Sequence, residues 1–233
     1  INTPHFTQSF KNTCKLDLAD IFLLKNEPWE STLLYMQVEK NEKENSLGEI
    51  AKLKNARLHY FTGEFELAKE LLDILKKATT REIANDAMQL SLLIDDNTGS
   101  DSLETPLRKF SQTELLVFQN KNEEAIEKLK ILEKELFSDS IADEVLWLKA
   151  NTYLKLNKVN EAMIDLEIII KDFKTDILAD DALNLLATIY FEKLNNKPKA
   201  MELYKTMLRD YPGSVFCANA RIKYRELRGD VVN

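Results

Sequence analysis

The chain has 233 residues, a net charge of −7, and only five glycines and five prolines. Hydrophobic residues make up 44% and charged residues 30%, which is typical of a folded protein and not of a disordered one. The acidic balance argues against a nucleic-acid partner, which favours clustered Lys and Arg, and no apolar run approaches the roughly 20 residues that span a membrane.

The first part of the chain predicts helices of uneven quality. Residues 1–13 are polar and lack periodicity, so they predict a flexible arm, with Asn12 or Thr13 as the cap of the first helix. Residues 14–137 then contain amphipathic helices that indicate degenerate repeats. Apolar stripes predict a helix from Leu16, another from Pro28, and a pair over residues 47–77.

The pairing of helices between residues 95 and 122 is open. A helix from Arg81 to about Ile94 has the pattern of the first helix of a pair, but its partner is not at the expected distance. A polar segment, Asp95–Asp101, follows it, and a further helix begins near Leu103. That further helix either starts a new repeat or serves both of its neighbours.

The best-formed repeats cover residues 138–212. Two copies of one pattern lie about 37 residues apart, so that Ala150 matches Ala187 and Tyr153 matches Tyr190. Each copy predicts two helices joined by a short turn, with a small residue where the helices meet. Residues 213–233 predict a capping helix and a tail.

These copies resemble the tetratricopeptide repeat. The residues that carry the resemblance are the small and aromatic positions and the exit proline: Ala187, Tyr190, Ala200, Tyr204 and Pro212, and in the earlier copy Ala150, Tyr153, Ala162 and Leu166, with Lys174 at the proline position. The resemblance implies an all-α fold, a right-handed α-α superhelix of about five helical hairpins plus a C-terminal capping helix, as a single domain over residues 1–233.

The resemblance also implies a function without catalysis. Tetratricopeptide repeats hold proteins or peptides in a groove lined by the first helix of each repeat. Carried over position by position, the groove residues are Leu53, Arg57, Tyr60, Trp147, Asn151, Lys155, Asn184, Thr188 and Phe191. The alternatives are a solvated face for the polar residues, and packing between repeats for Trp147 and Phe191.

The sequence contains no motif for an active site, a metal or a cofactor. Its two histidines are His5, in the predicted arm, and His59, at a position typical of packing. Zinc-binding, phosphate-binding and nucleophile motifs are absent from the sequence, so we expect neither an enzyme nor a cofactor.

A second resemblance concerns location. The stretches Pro28–Lys40, Arg81–Asn97 and Tyr224–Asp230 are similar to the C-terminal part of large tetratricopeptide proteins of Bacteroidetes. This implies the periplasm or the outer membrane, with export signals outside this sequence; the alternative is the cytoplasm. The expected partner is a protein or peptide, or a second copy of the chain. The alternative functions are a spacer or dimerisation module of a larger protein and, third, a sensor of a small ligand.

Overall fold

The computed structural model describes residues 7–43, 45–78, 80–98 and 105–230, and all regular elements within this part are helical. The α-helices are α1 Gln8–Leu24, α2 Pro28–Asn41, α3 Ser46–Thr62, α4 Phe65–Leu75, α5 Arg81–Thr98, α6 Thr105–Phe118, α7 Asn122–Glu135, α8 Ala142–Lys155, α9 Val159–Asp172, α10 Ala179–Thr188, α11 Lys197–Asp210 and α12 Cys217–Arg228. The predicted all-α class is confirmed. The chain divides into two compact units, Ile1–Ala125 and Ile126–Asn233; the predicted single domain stays a prediction.

Hairpin turns of one kind connect the paired helices. Each turn contains one residue in the left-handed region, with φ between 48° and 79°: Asn26, Gly63, Asn120, Asn157 and Asn195. In four of the turns, the next N–H donates to a carbonyl five residues back, as Lys158 does to Tyr153 at 2.9 Å. This hydrogen bond is typical of a helix that ends on a left-handed residue, and Asn tolerates that conformation better than most side chains.

The turn at Asn120 settles which helix starts the third hairpin. Lys121 N donates to Leu116 O at 2.9 Å, as in the other hairpins, so α6 is the first helix of a pair and α7 is the second. The helix α5 therefore stands alone between two hairpins. It also continues to Thr98, beyond the predicted end near Ile94, while Leu103 lies outside the described residues.

Small residues at fixed distances from each turn let the two helices approach closely. In the first four hairpins a small residue lies seven positions before the left-handed residue, and in all five another lies five positions after it. The ten residues are at most 1% exposed: Ala19, Ser31, Ala56, Ala68, Thr113, Ala125, Ala150, Ala162, Ala187 and Ala200. Because a larger side chain cannot fit between close-packed helices, these residues fix the hairpin geometry.

The last hairpin contains one additional residue. Ala187 precedes Asn195 by eight positions instead of seven. The chain accommodates this residue as a π turn, Ile189–Lys193, in which Leu194 N donates to Ile189 O at 3.1 Å. The repeat offset of 37 residues up to Ala187 therefore becomes 38 at Asn195.

Substitutions at Asn157 test the left-handed geometry of the turn. Asn157→Gly should leave the free energy of unfolding within a few tenths of a kcal/mol of wild type or raise it, because Gly adopts φ = 58° without strain. Asn157→Val should lower it by about 1–2 kcal/mol, because a β-branched residue is strained there. Urea denaturation measures both values, with Asn160→Val on the exposed start of α9 as the control. Equal losses from the two valine substitutions would contradict the turn assignment.

In the first unit, α1 to α5 pack in chain order, each on the next, and α6 packs against α3. Near the turn at Gly63, the Phe118 ring lies 5.9 Å from the Phe61 ring, and Arg108 lies 5.4 Å above the Phe65 ring. A Cβ atom at Gly63 would collide with the Arg108 guanidinium. Directly after the end of α6, Gln119 Nε2 donates to Leu23 O at 3.0 Å. The C-terminal end of α6 and the residue after it thus contact the C-terminal ends of α3 and α1.

In the second unit, α8 to α12 also pack in chain order, with α12 against α11. Aromatic residues connect the turns between hairpins: the rings of Phe137 and Phe173 meet edge to face at 5.7 Å, and Tyr211 Oη donates to Lys174 O at 3.0 Å. The predicted capping helix corresponds to α12, which ends at Gly229 with φ = 86°.

The predicted arm over residues 1–13 needs a correction. Residues 1–6 lie outside the described residues, but α1 begins at Gln8, earlier than predicted. The cap is Thr7, whose Oγ1 accepts a hydrogen bond from Phe10 N at 3.2 Å, and not Asn12 or Thr13. Asn12 is instead buried and donates to Glu42 Oε1 at 2.7 Å.

Candidate functional site

A cleft of about 470 Å³ lies between α3 and α5. Its lining residues come from one face of α3 and from the cap and first two turns of α5: Ser46, Ile50, Leu53, Lys54, Arg57, Thr80, Glu82, Ile83 and Asp86. The α3 residues recur at intervals of three and four, which places them along one side of a helix. Thr80 starts α5, since its hydroxyl accepts a hydrogen bond from Ile83 N at 3.4 Å.

The two walls of the cleft carry opposite charges. Lys54 and Arg57 lie on α3, whereas Glu82 and Asp86 lie on α5. Apolar side chains between them, Ile50, Leu53 and Ile83, supply the hydrophobic part of the lining. Such a cleft suits a ligand that has an apolar group and charges of both signs.

The two cations of the α3 wall differ in their availability. Lys54 Nζ donates to Asp20 Oδ2 at 2.6 Å, and Asp20 also accepts from Tyr35 Oη at 2.6 Å. Arg57 is exposed and forms no salt bridge within the described part of the chain. Arg57 is therefore the cation that the cleft can offer to a ligand.

The predicted groove residues of α3 have two outcomes. Leu53 and Arg57 line the cleft, but Tyr60, also predicted for the groove, is buried. Its hydroxyl donates to Glu114 Oε2 of α6 at 2.5 Å, and its ring lies 5.9 Å from that of Phe65. Tyr60 therefore packs inside the first unit, where the additional helix α6 covers it.

Burial also affects the partner of Tyr60. Desolvation raises the pKa of Glu114, while the hydrogen bond from Tyr60 and the charge of Arg57 lower it. The charge of Arg57 thus acts on Glu114, while Arg57 also lines the cleft.

The predicted groove residues of the second unit lie on α8 and on the segment formed by α10 and the π turn. Trp147 and Asn151 are half-buried, and Asn151 Nδ2 donates to Trp147 O at 2.9 Å. Lys155 is exposed at the end of α8. The α9 helix packs against both α8 and α10, so it lies between the two predicted sets.

On α10 and the π turn, the predicted groove residues make contacts within the second unit. Asn184 is half-buried, and Thr188 Oγ1 donates to its backbone carbonyl at 2.9 Å. Phe191 lies in the π turn, where Lys223 Nζ of α12 stands 4.6 Å from the centre of its ring. The capping helix therefore covers part of the aromatic surface predicted for the groove.

The acidic wall of the cleft was not among the predicted groove positions. Glu82, Ile83 and Asp86 lie on α5, which the sequence had identified as a helix of the first type. The groove positions of the repeat do not select these residues: when Ile83 is aligned with Leu178, Asn184 and Thr188 correspond to Gln89 and Leu93.

A buried ion network holds three helices of the second unit together. The ammonium group of Lys149 on α8 contacts Glu133 of α7 and, at 3.0 Å, Asp165 Oδ1 of α9. Burial raises the pKa of Asp165 to about 6, although Lys149 lowers it. Asp165 Oδ2 has no hydrogen-bond partner among the described residues. The network is a packing element whose charges are poorly solvated.

Several other features of the described residues bear on chemistry. They contain no group of three His, Cys, Asp or Glu side chains that could hold a metal ion. None of their helices is long and apolar enough to cross a bilayer. His59 Nδ1 lies 2.6 Å from Glu64 Oε2 across the hairpin turn, and both cysteines, exposed Cys14 and buried Cys217, are free thiols.

The repeated hairpins define the class: an α-helical repeat protein. The family model of the tetratricopeptide repeat matches residues 181–214, which comprise most of α10, the π turn and α11. This match confirms the resemblance seen in the sequence, and this segment is a tetratricopeptide repeat. A search of curated proteins finds no match to the chain.

Two solved structures are similar to the chain. One is a tetratricopeptide repeat protein from Parabacteroides merdae, with 12% identity, a TM-score of 0.41, and coverage of 94% of this chain and 73% of that one. The other is the tetratricopeptide repeat domain of P58(IPK), with 14% identity and a TM-score of 0.44. The match to P58(IPK) covers 94% of this chain and 65% of that one.

Proposed function

We propose that this protein is a non-catalytic scaffold that binds a segment of a partner protein in the cleft between α3 and α5. The tetratricopeptide repeat fold is in general a scaffold for protein–protein interaction, and this supports the class of function. The observation that carries the specific proposal is the cleft itself, with its apolar lining, its opposite charges and the exposed Arg57.

The chemistry of the lining specifies the segment. An apolar side chain of the segment that packs against Leu53 and Ile83 is removed from water, and this burial stabilises the bound state. A carboxylate beside it meets Arg57, whose planar guanidinium can donate two hydrogen bonds to it. A Lys or Arg on the other side of the segment meets Glu82 and Asp86 on α5.

The size of the cleft limits how much of the segment enters it. A volume of about 470 Å³ lies within the ~300–1,000 Å³ of ordinary ligand sites, so it holds a few side chains and not a folded domain. The remaining predicted groove residues, on α8 and on the α10 segment, are further proposed contacts in the second unit. Among them Lys155 offers an exposed cation.

Selection from a displayed-peptide library tests the cleft. The wild-type chain should enrich peptides that combine one large apolar residue with an acidic and a basic neighbour. Arg57→Glu should lower the affinity for the selected peptides by at least about tenfold, because their carboxylate then meets a like charge. Arg221→Glu, a change at another exposed arginine on α12, is the matched control.

Two outcomes of this selection would contradict the proposal. One is enrichment of no peptide by a chain that is folded by circular dichroism. The other is an equal loss of affinity from Arg57→Glu and Arg221→Glu, since that result reports net charge and not the cleft.

A location in the periplasm or at the outer membrane is a separate proposal. Its support is the resemblance of Pro28–Lys40, Arg81–Asn97 and Tyr224–Asp230 to large tetratricopeptide proteins of Bacteroidetes, which implies an envelope location. Fractionation of the source cells tests it: the protein should appear with periplasmic or outer-membrane markers, and recovery with cytoplasmic markers would overturn it.

A further inference from the structure

The outer face of α2 carries an apolar stripe that the core does not use. Trp29, Leu33 and Met36 are 76%, 56% and 54% exposed. They follow one another at intervals of four and three residues, which places them on one side of the helix. The buried residues of α2, namely Ser31, Tyr35 and Val38, face α1 and α3 on the opposite side.

Other helices also expose large apolar side chains: α1 has four, α4 and α5 have two each, and α7 and α9 have one each, Ile131 and Ile164. The α2 stripe differs from these in containing a tryptophan, which at 76% is more exposed than any of them. Single residues of this kind are ordinary on protein surfaces, whereas three in a row with a tryptophan at one end indicate a contact surface.

The spacing of the stripe is symmetric when read in either direction. With Lys40 added, the positions 29, 33, 36 and 40 have intervals of four, three and four. A second α2 helix laid antiparallel therefore matches the first position by position. Leu33 of one copy meets Met36 of the other, and Trp29 meets Lys40.

The charges beside the stripe agree with the antiparallel arrangement. Glu30 at the start of α2 and Lys40 at its end are both exposed, and neither forms a salt bridge within the described residues. In an antiparallel pair, Lys40 of one copy lies over the Trp29 ring and beside Glu30 of the other, so that both a cation–π contact and an ion pair form. In a parallel pair, the two Lys40 side chains would face each other.

We infer that α2 is the contact between two copies of this chain, related by a two-fold axis that passes near residues 34 and 35. A two-fold axis requires a self-complementary surface, and this stripe with its two charges is one. The inference does not depend on the α3–α5 cleft, which uses other residues.

The contact is small, so the dimer should be weak. One helix from each copy buries less than the ~1,200 Å² below which complexes are transient. We expect a dissociation constant of about 10–100 µM, so sedimentation equilibrium over about 5–500 µM should show the mass rise from 26.9 kDa towards twice that value.

Charge exchange gives the sharpest test. Leu33→Glu should raise the dissociation constant at least about tenfold, because it places a charge in the centre of the contact. Lys40→Glu and Glu30→Lys should each weaken the dimer, whereas the double variant that carries both changes should restore association close to wild type. Ile164→Glu on α9, an equally exposed isoleucine in the second unit, is the matched control.

Three results would overturn the inference. The first is a wild-type mass that stays at 26.9 kDa at every concentration. The second is dissociation by Ile21→Glu on α1 but not by Leu33→Glu, which would place the contact on α1. The third is a dissociation constant of the double variant, Lys40→Glu with Glu30→Lys, that is no lower than those of the two single variants. Circular dichroism of each variant confirms the fold, since all substituted positions are exposed.

Discussion

Ala162→Leu should lower the free energy of unfolding by about 2–3 kcal/mol, because it forces three additional carbon atoms into a closed contact. Ala162 is the first small residue of α9, lies five positions after the turn at Asn157, and has no exposed surface. Its backbone therefore lies close to α8, and a leucine would push the two helices apart.

The matched control inserts the same side chain on the same helix. Asn160 is exposed at the start of α9, and Asn160→Leu should change the stability by less than about 0.5 kcal/mol. Thermal and urea unfolding of both variants measure the difference. Equal stability of the two variants would mean that α8 and α9 are not in close contact at Ala162.

Lys149→Ala should cost about 3–5 kcal/mol at pH 7, since it leaves Glu133 and Asp165 near each other without their shared cation. The double variant Lys149→Ala with Asp165→Asn should recover much of this loss, because it also removes the charge that would remain buried. A double variant as unstable as the single one would show that the loss comes from packing and not from charge.

The pH dependence of this network has a definite sign. The pKa of Asp165 in the folded protein, about 6, lies above its ordinary value of 3.8, so its charge opposes folding above pH 6 and the penalty disappears as the pH falls towards 4. Burial and the charge of Asp180 also raise the pKa of Asp181 to about 6, so the charge of Asp181 likewise opposes folding above pH 6. The deficit of Lys149→Ala should therefore be smaller at pH 5 than at pH 7.5, as measured by urea unfolding.

Most of the helical framework could be predicted from the sequence, and the reason is visible at Ala150 and Ala187. Close helix packing requires a small side chain at one position per helix, and a sequence shows such a requirement directly. The repetition of Tyr153 as Tyr190 indicated the period of the hairpins. The turn residue Asn157 marked the end of the first helix.

The third hairpin was harder to predict because its small residue in the first helix is Thr113 and not alanine. Asn120 in the segment Gln119-Asn120-Lys121 was a usable signal, since it corresponds to Leu156-Asn157-Lys158. An Asn or Gly in a polar turn between two amphipathic helices thus marks all five hairpins, including the one that lacks alanine in its first helix.

The candidate site could be predicted only in part. Leu53 and Arg57 follow from their positions on α3, but the burial of Tyr60 depends on α6, which packs across the end of α3. The acidic wall depends on where an unpaired α5 lies. Both are contacts between helices of different pairs, and the periodic pattern within one pair does not define them.

Site-specific photo-crosslinking in the source cells tests the proposed scaffold most directly. A photoreactive phenylalanine at position 50, which lines the cleft and leaves Arg57 in place, should crosslink to one contiguous segment of one partner protein, and that segment should contain an apolar residue beside a carboxylate. The same group at Glu70, on the exposed face of α4, should not crosslink to that segment. No crosslink from position 50, or the same products from both positions, would contradict the account.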